Sequence, residues 1–134
     1  MQILAPFFSD LDHAYESTHI PHFRGEQIRQ LHDRVQKALD TIIMTLDNDP
    51  AQPKALLICT HAATMIAIGR VLTGNVPDDL DDDDFQCYTA SLSRFERKDS
   101  EEKKVVGGWD CVLNAETGYL SGGAERGWSV LIDA

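Results

Sequence analysis

The chain has 134 residues and a mass of 14.9 kDa, the size of one domain or part of one. Lys plus Arg number 12 against 22 Asp plus Glu, a formal net charge of -10, which argues against broad electrostatic binding to nucleic acid or to an anionic membrane. Hydrophobic residues at 43% and charged residues at 25% are ordinary for a soluble globular protein and argue against wholesale disorder and a membrane span. Polyanionic small substrates stay open, because a pocket can be locally basic.

Residues 1–24 scatter Phe7, Phe8, Tyr15 and Phe23 among histidines and prolines, and read as irregular loop. Met1 soon meets Pro6, Ser9 and Asp10, without the basic start or the length of a secretory signal. From Gly25 to about Asn48, apolar residues recur at three- and four-residue steps through Ile28, Leu31, Val35, Leu39, Ile42, Ile43 and Leu46. This predicts an amphipathic helix with a wide apolar stripe, stopped by Asp47-Asn48-Asp49-Pro50.

The short apolar run Ala55–Cys59 predicts a strand buried on both faces, as in a parallel sheet under helices. Residues 62–72 are small and apolar nearly all round, which predicts a buried helix ending at Gly74. Helix, buried strand, turn and buried helix together form an α/β pattern. Residues 75–84 form an acidic loop with Pro77, and residues 85–95 hold a strand. The charged run 96–104 reads as a solvated loop or hairpin tip. Residues 105–113 and 128–132 are weaker strand candidates, separated by turns at glycines 118, 122, 123 and 127.

The best candidate for chemistry is Thr60-His61-Ala62-Ala63. His61 follows the predicted strand and opens a helix, the place where open α/β sheets bind ligands. A helix N-terminus offers free N–H groups and a positive dipole end to a phosphate, and small residues let it approach. The structural alternative is a capped, hydrogen-bonded histidine. Cys59 raises a cysteine phosphatase, but the arginine that such a loop needs would fall at Met65. Closing an apolar run, Cys59 reads as a buried, inert thiol. The odd count of three dispersed cysteines, Cys59, Cys87 and Cys111, argues against a disulfide framework or zinc knot and favours a reducing, intracellular setting. Asp78, Asp79 and Asp81–Asp84 lack the alternation, glycine and final Glu of a calcium loop. His13, His19 and His22 lack standard metal-ligand spacing. Glu26 suits a helix start, with Arg34 solvated or paired.

Gly25-Glu26-Gln27 with Arg34, and Leu57-Ile58-Cys59-Thr60-His61-Ala62, resemble the histidine phosphatase superfamily, the phosphoglycerate-mutase-like proteins. Trp109-Asp110, Asn114 and residues 120–128 are similar to a fungal branch of it, related to the tau 55 kDa subunit of the RNA polymerase III transcription factor TFIIIC. The resemblance implies a mostly parallel sheet with flanking helices and phosphomonoester chemistry. It makes His61 the second catalytic histidine, with His61 and Ala62 at the phosphate. It implies no metal or organic cofactor. The departures are equally specific. Family members begin with a strand ending in Arg-His-Gly, whose histidine is the nucleophile, and a second arginine and an acidic residue follow. The sequence has no Arg-His dipeptide, Gln27 replaces the usual Thr or Ser, and Ala62 stands where many members have Gly.

Residues 1–134 therefore read as the C-terminal part of a single incomplete domain, inactive alone. Completed upstream, it would act on a phosphorylated small molecule or phosphoprotein. The alternative is a non-catalytic, phosphatase-like subunit with a protein partner in a transcription-factor complex, cytoplasmic or nuclear. In either case no direct nucleic-acid or membrane binding is expected. Loss of the sheet neighbour would leave Ala55–Cys59 an open apolar edge.

Overall fold

A computed structural model describes residues 10, 12, 14–79, 82, 84–100 and 102–127. Along the chain come α1 (Ile28–Asp47), α2 (Ala62–Thr73), β1 (Leu92–Arg97) and β2 (Trp109–Glu116). The predicted strand at 128–132 lies outside the described residues, as do His13, Asp81 and Asp83.

α1 forms where the periodicity places it. Before it, the Gln27 N–H donates to Gln30 Oε1 at 2.8 Å, satisfying a donor that the helix start leaves unpaired. Val35, Leu39 and Ile43 are buried on one stripe. At the far end, the Asn48 backbone and side-chain nitrogens both donate to the Met44 carbonyl. α2 is buried continuously from Ile66 to Leu72, as expected for a helix apolar nearly all round. It ends at Gly74, which takes φ +74°, a left-handed conformation that glycine enters without penalty. A Cβ at Gly74 would also lie 2.8 Å from Gly107 Cα. That approach lets the Gly107 N–H donate to the last-turn carbonyl of Val71.

The core joins Val35, Leu39 and Ile43 of α1 to Ala67, Ile68, Val71 and Leu72 of α2, with Leu31, Phe95, Val105 and Trp109 packed at its margin. β1 and β2 pair antiparallel, from Leu92 opposite Glu116 to Arg97 opposite Trp109. Exposure alternates along both strands, the signature of a sheet covered on one face. β1 therefore continues through Glu96 and Arg97, past the predicted boundary. Arg97 stays in the strand because its guanidinium lies 4.9 Å from the Trp109 ring centroid and binds Asp47 at the end of α1.

The largest difference from the sequence reading concerns Ala55–Cys59. The segment forms no strand, and Leu56, Leu57 and Ile58 are 48%, 78% and 41% exposed. Cys59 is exposed as well, which corrects its reading as a buried thiol. The physical reason is the lack of a partner. A strand buried on both faces needs a neighbour and two covering layers. The sheet among the described residues is the two-stranded β1–β2 hairpin, which pairs within itself, and the helices cover each other and the hairpin. A parallel sheet is not formed among the described residues.

Candidate functional site

His61 is the N-cap of α2, with extended backbone at φ -94° and ψ 162°. Its carbonyl accepts the first helical bond, from the Met65 N–H at 2.9 Å. Its side chain makes no cap hydrogen bond and is exposed. Ala62 is half-buried and Ala63 exposed, so the first two residues of the helix carry no bulky side chain. The structural alternative weighed above, a hydrogen-bonded capping histidine, is not what forms. The imidazole stands at the positive end of a twelve-residue helix, where partial charge from the aligned peptide dipoles favours an anion.

Four arginines, Arg34, Arg70, Arg94 and Arg97, are engaged by carboxylates. Arg34 Nε and Nη2 each donate to a Glu26 carboxylate oxygen at 2.7 Å. This bidentate pair ties the turn before α1 to the helix, and decides between the solvated and the paired reading of Arg34. The hydrogen bond from Arg34 holds the Glu26 carboxyl below its ordinary range against the opposing effect of desolvation, and the same bond raises Arg34. Arg70 is 1% exposed. Its Nε and Nη2 donate to Asp84 at 2.9–3.1 Å, and Nη2 donates to the Asp82 carbonyl at 2.8 Å. Arg97 is held by Asp47, and Arg94 pairs with Glu96.

Arg70 and Asp84 are the pair that the sequence reading missed. The acidic stretch read as a solvated loop, yet Asp84 is pinned to α2. The available signal was a single arginine inside an otherwise apolar helix, since a buried guanidinium requires a carboxylate. His32 is a second missed feature. It is buried in α1, its Nδ1–H donates to the Ile28 carbonyl at 2.8 Å, and its Nε2 has no partner among the described residues.

Neither of two open grooves is lined by His61 or Ala62. The larger, of about 480 Å³, is lined by His19, His22, Glu26, Arg34 and Lys37 among others. The His19 ring lies against α1, with Nε2 3.0 Å from Thr41 Oγ1. Because Thr41 donates to the Lys37 carbonyl, the ring nitrogen is the donor to Thr41. No group of three or more His, Cys, Asp or Glu side chains able to hold a metal ion occurs among the described residues. Cys111 donates to the Leu113 carbonyl at 3.2 Å, and burial pushes its thiol up.

Residues 3–110 match the histidine phosphatase superfamily, branch 1. The chain belongs to that superfamily. The match includes the turn and helix carrying Glu26 and Arg34, and the His61 segment with α2. The chain is also 25% identical, over 148 aligned positions, to the transcription factor tau 55 kDa subunit of Saccharomyces cerevisiae. That alignment takes in 96% of this chain and 34% of the yeast protein, so the chain spans about a third of that relative's length. Superfamily membership supports the α/β reading of the fold. Among the described residues, no helix is long and apolar enough to cross a membrane.

Proposed function

We propose that this chain carries the second-histidine part of a histidine phosphatase site and performs no turnover by itself. His61 would donate to the phosphoryl oxygens as charge builds in the transition state, with the amides at Ala62 and Ala63 facing the phosphate. The observation that supports this is the exposed imidazole, without a cap hydrogen bond, at the head of α2 in a chain of that superfamily. Phosphoryl transfer is chiefly positioning and charge stabilisation. It needs an in-line nucleophile, a bidentate arginine clamp and an acid for the leaving oxygen. In this reading the nucleophile and one arginine end a strand that completes a parallel sheet beside Ala55–Cys59, and a second arginine and the acid lie between that strand and the His61 segment. The substrate class is a phosphomonoester, on a small molecule or a protein.

The test compares hydrolysis of p-nitrophenyl phosphate by three proteins: the 134-residue chain, the protein purified from its source with its intact mass recorded, and His61→Ala in the latter. The short chain should show no His61-dependent rate. The longer protein should turn over and lose about 100- to 1,000-fold in kcat on substitution, the usual effect of removing one preorganised donor. A His61-dependent rate from the 134-residue chain would refute the proposal.

The similarity to a transcription-factor subunit favours a second reading. Here the domain is a non-catalytic, phosphatase-like binding module in a TFIIIC-like assembly in the nucleus. It predicts no turnover by the source protein, and co-purification with its partners that His61→Ala leaves unchanged. A His61-dependent rate from the source protein excludes it.

A further inference from the structure

We draw no further inference here: the strongest candidate, the exposed apolar run Leu56–Ile58 leading into α2, carries none because nothing among the described residues shows what covers it.

Discussion

Replacing Asp84 tests how the acidic loop is fixed. The Arg70 side chain is 1% exposed and that of Asp84 29% exposed. The pair therefore joins a fully desolvated cation to a carboxylate that water still reaches. Asp84→Ala leaves the guanidinium buried with its remaining partners, the Asp82 carbonyl among them. It also removes the acceptor of the Phe85 N–H, 2.9 Å from Asp84 Oδ1. Breaking a buried pair from one side costs roughly 3–5 kcal/mol. Water access at Asp84 lowers the expected loss to about 2–4 kcal/mol, or a fall in Tm of roughly 6–20 °C for a chain of this size. Arg70→Met is the informative control. It removes the cation, keeps apolar bulk, and leaves a carboxylate that hydrates in place, so it should cost about 2 kcal/mol or less. In the double variant, Asp84→Ala should add little to Arg70→Met. Urea unfolding with linear extrapolation measures all three. Asp84→Ala within about 0.5 kcal/mol of the unmodified chain, the range of ordinary surface substitutions, would refute the reasoning, as would Arg70→Met proving the more damaging of the two.

Three further outcomes follow from the same geometry. At Gly69, a Cβ would sit 2.6–2.8 Å from ring atoms of the buried Phe85. Gly69→Ala should therefore lose about 1–3 kcal/mol by overpacking, recovered in part by Phe85→Leu; equal losses with and without that second change would refute the contact. Glu26 has a folded-state pKa lowered from 4.5, chiefly by the Arg34 hydrogen bond. Its contribution is present above 4.5 and is lost as the pH falls through the lower folded value. The stability gap between the unmodified chain and Glu26→Gln should be flat near neutral pH and shrink below 4.5, and a gap that widens in acid would reverse the assigned sign. Leu39 is 3% exposed and Leu57 78% exposed. Leu39→Ala should cost about 2–5 kcal/mol and Leu57→Ser within about 0.5 kcal/mol; in urea melts of the 134-residue chain, similar losses at both positions would show that Leu57 is covered.

The helices were legible because their burial is local. Ile28 through Leu46 repeat at the helical period, and the two helices can satisfy most of their apolar surface against each other and the hairpin. Gly74 marked the end of α2 because only a left-handed residue turns the chain there. The hairpin was legible in kind and misplaced in its bounds. Reading strands by apolar content stops β1 at Phe95, whereas cross-strand pairing continues wherever a long side chain can lie on its neighbour, as Arg97 does on Trp109. Ala55–Cys59 was read correctly as apolar and incorrectly as buried here, since burial on two faces depends on elements that a local run does not contain.

The candidate site divides along the same line. The place of His61 at the start of α2 could be read because a helix start is encoded there, in a turn followed by two small residues and a buried run. A phosphate clamp was not legible in the sequence, and the structure shows what three candidate arginines do instead. Arg34, Arg70 and Arg97 are each engaged by a carboxylate from a different place in the chain: Glu26 before α1, Asp84 at the end of the acidic loop, and Asp47 at the end of α1. Each pair ties a loop or strand to a helix. Recruiting Arg70 to a phosphate would require exposing a buried guanidinium and releasing Asp84. Recruiting Arg34 would release Glu26 from its bidentate bond. Their charge is already used to hold the fold, so a clamp facing His61 has to come from guanidiniums not bound in this way.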